Sequence, residues 1–208
     1  MLGVSEKGSP QHATALLTEV ERAAAAAGGW GSVSSVAVGL GPGSFTGLRV
    51  GMATARGVAM TRGLPLAGVC TLDAIGAALA ERAGAGGCSL ALLDARRGEV
   101  FSALYRAGAE RRWGPSVSSP AELGERIAQL ERPPLAAGSG AVRFRQELVS
   151  CGVEIPDDAD QVHRVSARRI CALAAAGNED QAGPTAPIYL RPPDAERWRE
   201  RDTVQTTE

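Results

Sequence analysis

The run GLGPGSFTGLRVG at Gly39–Gly51 limits how this chain can fold more than any other segment. A short strand of small apolar residues, Val36–Leu40, leads into its glycine–proline turn, and a helix is predicted to follow over Thr46–Arg62. Backbone N–H groups at the start of such a helix can bind an anion. The run therefore predicts a strand–loop–helix unit of an α/β protein.

The run does not match the nucleotide-binding or hydrolase motifs that share this layout. A P-loop would need its two glycines closer together than Gly41 and Gly47, followed by a lysine, and the chain has a single lysine, Lys7. A dinucleotide fingerprint would need glycine at Thr46. A nucleophile elbow would need serine at Phe45. The unit is therefore not a standard nucleotide or hydrolase site.

The predicted helix carries a stripe of small residues. Gly47, Gly51 and Ala55 recur every four positions, and each interior glycine costs a helix about 1 kcal/mol relative to alanine. Arg49 and Arg56 share a second face beside the stripe. Such a stripe indicates close approach by another element, which is either the protein's own sheet or a helix of another subunit.

Helical and strand patterns alternate along the chain, which predicts an α/β architecture with helices packed on largely parallel sheets. The predicted strands are Val36–Leu40, Leu66–Cys70, Cys88–Asp94, Glu99–Arg106, Leu135–Ala137 and Val153–Ile155. Cys88–Asp94 and Glu99–Arg106 are predicted to form a hairpin around the turn at Arg96–Gly98. The predicted helices are Ser9–Ala27, Thr46–Arg62, Thr71–Ala83, Ser119–Leu130, Arg143–Ser150 and Ser166–Ala176.

Composition excludes several classes of protein. The net charge is −1 and provides no overall positive field for binding RNA. The four cysteines are widely spaced without a Cys-x-x-Cys pair, which argues against a zinc site. There is no signal-peptide pattern and no apolar run of membrane-spanning length. We therefore expect a cytoplasmic protein with no membrane association.

Few side chains are candidates for chemistry. His12 lies in the first turn of a predicted helix, where a surface or interface role suits it, and His163 follows several aspartates in a loop, where we expect it to be solvated. Asp94 precedes an arginine-rich turn that suits either Mg²⁺ or phosphate binding or ordinary turn formation. We predict no catalytic residue and no metal site. The candidate nucleotide or phosphate positions are Gly41, Gly43, Ser44, Asp94, Gly138 and Gly140.

The segment Gly41–Gly51 resembles the signature of the TsaB (YeaZ) family, the dimerisation subunit of the bacterial machinery that makes threonylcarbamoyladenosine in tRNA. Shorter segments resemble the same family in the same order, so that the resemblance covers the chain from about Gly8 to Ala195. These segments are His12 with Leu16 and Leu17, Pro65–Leu72, Asp94–Phe101, Gly138–Ala141 and Pro187–Pro192.

The resemblance implies a Gcp-like protein with two ribonuclease-H-like halves of the actin-like ATPase superfamily, residues 1–85 and 86–208, meeting near Ala85. Family members begin with a strand containing an A-I-D-T-S-like stretch and a second strand before the helix that carries His12. This chain starts at Met1, already close to that helix. We therefore expect the first half to lack its N-terminal strands and the 208-residue chain to aggregate. The tail after Asn178 is expected to be irregular.

The resemblance also implies a non-catalytic scaffold subunit. Its expected partners are a TsaD-type catalytic subunit, a TsaE-type P-loop ATPase and a second copy in a homodimer, with tRNA contacted only through the complex. No cofactor is expected to bind this chain alone, whereas ATP or ADP at the subunit interface is possible. The expected partner interface comprises His12, Leu16, Thr46, Gly47, Arg49, Gly51, Ala55 and Arg56.

An alternative function is a stand-alone actin-like hydrolase or glycoprotease-like peptidase. A metal-dependent member of that superfamily would be expected to carry an H-x-x-x-H pair, which this sequence lacks. The sequence also offers no serine with an identifiable base. These observations favour the scaffold over the enzyme.

Overall fold

The computed structural model describes residues 12–83, 87–177 and 186–191. Its helices are α1 (His12–Ala26), α2 (Phe45–Arg62), α3 (Thr71–Ala83), α4 (Pro120–Ala128), α5 (Ser139–Arg143), α6 (Arg145–Ser150) and α7 (Ala167–Ala175). Its strands are β1 (Val36–Gly41), β2 (Leu66–Cys70), β3 (Ser89–Asp94), β4 (Val100–Tyr105), β5 (Arg111–Ser118) and β6 (Leu135–Ala137). Within these ranges no helix combines the length and hydrophobicity that crossing a membrane requires.

The described strands form two sheets. β1 and β2 pair in parallel, and the second sheet has the order β5-β4-β3-β6. The α/β class is confirmed, but the expectation of largely parallel sheets is wrong for the second sheet. There β3–β4 forms the predicted antiparallel hairpin, β4–β5 is also antiparallel, and only β3–β6 is parallel. Short connections join β3, β4 and β5, whereas a parallel pair needs a long crossover. The predicted boundary at Ala85 lies outside the described residues.

The first half is organised around the unit β1–α2–β2. The buried face of α2, with Met52, Ala55 and Ala59, lies toward the sheet, and Met52 and Ala55 pack with Val38 and Leu40 of β1. Apolar residues at this spacing form one stripe of a helix, and their burial is what fixes a helix on a sheet. The sheet therefore determines which side of α2 remains available for other contacts.

Helix starts follow from side-chain caps. α2 begins at Phe45, one residue earlier than expected, because the Ser44 hydroxyl accepts the N–H of Gly47 at 3.4 Å. Ser119 opens α4 with the predicted capping box, in which its hydroxyl and the Glu122 carboxylate each accept a backbone N–H. The expected start of α1 near Ser9 lies outside the described residues.

Three elements of the second half differ from the prediction. β5 was not predicted, because a Gly114–Pro115 pair interrupts it; proline is tolerated there since β5 is an edge strand. The predicted strand near Val153 is reduced to a single bridge between Leu135 and Glu154. The helix predicted over residues 143–150 is α6, and α5 precedes it where no helix was predicted.

A polar network joins α3 to the second sheet. The buried Tyr105 hydroxyl donates to Asp73 at 2.7 Å, and Arg111 Nε donates to the same carboxylate at 3.1 Å. Burial, together with the Asp73 charge, raises the pKa of Tyr105 far above its ordinary value. Burial alone would lower the pKa of Arg111, but hydrogen bonding and attraction to Asp73 outweigh it, and the pKa is raised. Gly76 permits this packing, since an added Cβ would lie 2.6 Å from the Tyr105 ring.

Candidate functional site

The turn after β1 is closed by contacts with its own chain. Gly41 is buried with φ 102°, and its N–H donates to Thr71 Oγ1 at 3.1 Å. A Cβ at this position would lie 2.9 Å from Leu48 Cδ1 and 3.1 Å from the Ile188 carbonyl oxygen. Packing and a positive φ therefore account for glycine here. Gly43 and Ser44 are exposed beside it.

The turn between β3 and β4 uses Asp94 as a structural carboxylate. Asp94 Oδ1 accepts the Arg96 N–H at 2.8 Å, and Oδ2 accepts from Arg143 Nη1 at 2.8 Å. The Asp94 N–H donates to the Ser139 hydroxyl at 3.1 Å. These contacts stabilise a turn in which Arg96 and Arg97 both adopt positive φ. Of the two alternatives for this segment, ordinary turn formation therefore has the structural support.

The glycines after β6 face the interior. A Cβ on Gly138 would lie 1.8 Å from the Leu92 carbonyl oxygen, and one on Gly140 would lie 2.7 Å from Val100 Cγ2. Both glycines are needed for the close approach of α5 to the second sheet. Since their missing side chains face protein atoms, they do not form an open cradle for a phosphate.

His163 is buried, contrary to the expectation of a solvated loop residue. Its ring is 7% exposed, Nδ1 accepts the Gly138 N–H at 3.1 Å, and Nε2 lies 3.1 Å from the Asp157 carbonyl oxygen. The loop that carries it folds back onto the turn after β6, which the sequence spacing did not indicate. With both nitrogens bound to backbone groups, the imidazole is not placed to act as a general base.

The remaining observations also give no sign of a catalytic centre. Among the residues with a described structure, no group of three or more His, Cys, Asp or Glu side chains is arranged to hold a metal ion. Burial and the nearby Asp73 charge raise the pKa of the Cys70 thiol to about 11, which keeps it protonated and unreactive at neutral pH.

The small-residue stripe of α2 divides between two environments. Ala55 is buried against β1, so the own-sheet interpretation is right at that position. It is wrong at Gly47 and Gly51, because Gly47 is exposed and Gly51 half-buried. Apart from the adjacent residues and backbone of α2 itself, no described atom lies within 4 Å of a Cβ added at Gly51, and one added at Gly47 meets only the side chain of Ser44. This part of α2 is open to an incoming backbone.

Other residues of the predicted interface lie on α1 and α2. Thr46, Arg49 and Arg56 are exposed and Leu16 is half-buried, while His12 begins α1. The two helices are neighbours, and Arg62 Nη2 lies 3.5 Å from the Glu21 carboxylate. Two further apolar side chains are exposed on these helices: Leu17 on α1, 49% exposed, which belongs to the family-like segment with His12 and Leu16, and Met60 on α2, 83% exposed, which was not predicted.

Residues 187–191 contact both β1 and the turn between β3 and β4, and we call this segment the strap. The Ile188 N–H donates to the Leu40 carbonyl at 2.7 Å, and Arg191 donates to the Ala95 carbonyl at 2.8 Å and pairs with Glu99. The strap contains no helix or strand, as predicted for this part of the tail, but its contacts were not predicted, because periodicity carries no signal for a contact between such distant segments.

Comparisons with known proteins agree with this architecture. Residues 4–168 match the family model TsaD, described as tRNA N6-adenosine threonylcarbamoyltransferase. A solved structure of an uncharacterized Pseudomonas aeruginosa protein with similarity to peptidase YEAZ superposes with a TM-score of 0.67 at 28% identity, covering 86% of this chain and 84% of that one.

Curated relatives divide into uncharacterized and named proteins. An uncharacterized Mycobacterium leprae protein is 38% identical over 78% of this chain and 39% of its own length. An uncharacterized Mycobacterium tuberculosis protein is 37% identical over 78% of this chain and 66% of its own length. This chain thus spans between about two fifths and two thirds of these mycobacterial relatives.

The Escherichia coli tRNA threonylcarbamoyladenosine biosynthesis protein TsaB is 31% identical over 76% of this chain and 71% of its own length. The fold and the glycine-rich strand–loop–helix unit agree with these matches. The chain therefore belongs to the TsaB (YeaZ) family, within the group of proteins described by the tRNA N6-adenosine threonylcarbamoyltransferase family model.

Proposed function

We propose that this chain is a non-catalytic accessory subunit of the complex that transfers a threonylcarbamoyl group to N6 of the tRNA adenosine 3′ of the anticodon. Its partner in this proposal is a TsaD-type catalytic subunit, which docks on α1 and the open part of α2. The named relatives support the pathway, since the E. coli protein is called a tRNA threonylcarbamoyladenosine biosynthesis protein. Family membership supports the assignment as an accessory subunit rather than a stand-alone hydrolase or peptidase.

The observation that carries the docking proposal is the open surface at Gly51. Glycine lowers the helix propensity of α2, and nothing in the described chain uses the space that the missing side chain leaves. Exposed Leu17 adds apolar surface on the neighbouring helix α1. Small residues permit close approach of helix backbones, and exposed apolar groups supply the area that such a contact buries.

The proposed complex has further components besides the catalytic subunit. A TsaE-type P-loop ATPase is the proposed second partner, and a homodimer is the proposed state of the chain without its partners. We propose that the chain alone binds no cofactor, that ATP or ADP binds only at the subunit interface, and that tRNA is contacted through the complex. A tRNA-modifying function places the protein in the cytoplasm.

The substitution Gly51→Leu tests the docking surface. A leucine at this position would enter the space between two helix backbones, and overpacking of this kind costs about 1–3 kcal/mol. The variant is expected to keep its circular dichroism spectrum and melting behaviour but to lose binding to the catalytic subunit in size-exclusion chromatography. An unfolded variant would mean that Gly51 is packed inside the chain, and unchanged binding would contradict docking at this surface.

Gly57→Leu is the matched control. Gly57 is also on α2 with no described atom within 4 Å of an added Cβ, but it lies six positions further along, about 120° around the helix axis from Gly51. We expect this variant to bind the catalytic subunit like the unmodified protein. Equal loss of binding by both variants would show that the effect is not specific to the glycine stripe.

A further inference from the structure

The strap and the first turns of α2 together form a small aromatic and cationic surface. The Arg49 guanidinium lies 3.7 Å above the centre of the Phe45 ring, and Arg49 Nε lies 3.4 Å from the Tyr189 hydroxyl. The rings of Phe45 and Tyr189 are 5.4 Å apart. Tyr189 is 42% exposed, and it reaches this position because Ile188 is bonded to β1. We call Phe45, Arg49 and Tyr189 the platform.

Arg49 differs from many other arginines of this chain in lacking a carboxylate partner among the described residues. Its contacts are with the two aromatic side chains of the platform, and the Tyr189 hydroxyl contacts only the Nε atom of the guanidinium. Arginines that do pair with carboxylates include Arg62 on the same helix and Arg82, Arg111, Arg143, Arg145, Arg169 and Arg191. Stacking orients the guanidinium while leaving its two terminal nitrogens able to donate, which is the arrangement that binds a carboxylate with two hydrogen bonds.

We propose that the platform is a second contact point for the catalytic subunit, in which Arg49, oriented by Phe45 and by Tyr189 of the strap, binds an acidic side chain of that partner. This inference rests on the proposed function, because it takes the catalytic subunit as the occupant. It assigns the strap a role in recognition, since without Tyr189 the arginine would lose its second aromatic neighbour.

The charges on the helix favour a different protein over a second copy of this chain. α2 contains Arg49, Arg56 and Arg62 but no Asp or Glu. Two copies that met at the platform would bring one Arg49 against the other with no carboxylate of α2 between them, which is repulsive, so a homodimer would have to meet elsewhere. An acidic segment of another protein supplies the missing charge.

RNA is a weaker fit than an acidic protein segment. Binding to a phosphate backbone takes several basic side chains along one surface, whereas this chain has a net charge of −1 and a single lysine. The platform also offers exposed aromatic surface, and tyrosine and arginine are the residues that dominate the affinity of protein–protein contacts.

The test compares two substitutions of one residue. Arg49→Gln removes the charge, and Arg49→Glu reverses it. Binding of the full chain to the purified catalytic subunit is measured by calorimetry at low and at physiological ionic strength. We expect Arg49→Gln to weaken binding about tenfold and Arg49→Glu to weaken it further, because a carboxylate would then face a carboxylate. The difference from the unmodified protein should be smaller at the higher ionic strength.

Two further variants complete the design. Tyr189→Phe keeps the ring but removes the hydroxyl that Arg49 contacts, and we expect a loss of about threefold, the size of a weak polar contact. Arg112→Glu changes an exposed arginine on β5 and serves as the matched control, with binding expected to be unchanged. Circular dichroism melts of all variants report whether the fold is kept.

The outcomes separate this inference from the proposed function. If the Arg49 variants bind normally while Gly51→Leu loses binding, the platform inference is wrong and docking on α2 stands. If the unmodified chain does not bind the catalytic subunit, the proposed function itself fails. If the Arg49 variants change only self-association, or only the affinity of the chain for tRNA, the occupant is a second copy or RNA and the inference is overturned.

Discussion

At the scale of single residues, His163 connects two loops that are far apart in the sequence. Its Nδ1 can accept the Gly138 N–H only when that nitrogen carries no proton, so Nε2 carries the hydrogen and donates to the carbonyls of Pro156 and Asp157. The imidazole thereby satisfies the Gly138 N–H at the turn before α5. A residue that looked like a candidate for chemistry therefore has a structural role.

Replacing His163 with phenylalanine should measure that role. The change keeps a ring in the buried space but leaves the Gly138 N–H without its acceptor, and an unsatisfied buried donor costs about 1–3 kcal/mol. We expect the free energy of unfolding in urea at neutral pH to fall by that amount. His163→Gln, which can restore an acceptor, should lose less. Equal stability of His163→Phe and the unmodified protein would contradict the structural role.

At the scale of elements, α3 is held to the short 3-10 helix Gln161–His163 by an ion pair. Arg82 donates to both Asp160 oxygens, at 2.6 and 2.9 Å. The Arg82 hydrogen bonds, followed by the Val162 N–H, lower the pKa of Asp160 from 3.8 to about 2. Because the folded pKa is the lower one, the stabilisation is present above the unfolded value and is lost as the pH falls through about 2.

The lowered pKa of Asp160 predicts how the stability of the Asp160→Asn variant depends on pH. The unmodified protein should be more stable than the variant at pH values above the ordinary Asp pKa of 3.8, and the two should converge as the pH falls toward about 2. Urea unfolding midpoints at several acid pH values would measure the difference. A difference that grows as the pH falls would show that the ion pair does not lower this pKa.

The local sequence pattern was sufficient to predict the helices and strands whose contacts are near in sequence. The periodicity of small residues predicted α2, and the capping box predicted α4. The edge strand β5 was missed because its Gly114–Pro115 pair reads as a loop, and only pairing with β4 makes it a strand. The burial of His163 was missed because its contact with Gly138 depends on tertiary packing.

Only part of the candidate interface could be predicted from the sequence. Gly47 and Gly51 could be found from their spacing, because a helix fixes which residues share a face. The platform could not, since Tyr189 meets Phe45 and Arg49 only when Ile188 of the strap is bonded to β1. Sequence alone also could not separate Ala55, which packs on β1, from the two open glycines.

At the scale of the whole molecule, the strap and α3 join the parts that the two sheets organise. The strap is bonded to β1 at Leu40 and to the β3–β4 turn at Ala95, and α3 is joined to β4 and β5 through Asp73. Ile188 packs against core residues of both regions. Such shared contacts make the molecule a firm support for a partner, which is what an accessory subunit must supply.

The accessory role predicts the result of reconstitution. Purified alone, this chain is expected neither to modify tRNA nor to hydrolyse ATP, because its single lysine, Lys7, lies outside any P-loop pattern and the described residues hold no metal-binding cluster. Modification should appear when it is added to the catalytic subunit, the P-loop ATPase and threonylcarbamoyl-adenylate, as measured by mass spectrometry of digested tRNA. Gly51→Leu should abolish that stimulation, whereas Gly57→Leu should preserve it. Robust modification by this chain alone would overturn the accessory role, because the docking surface would then serve an enzyme rather than support one.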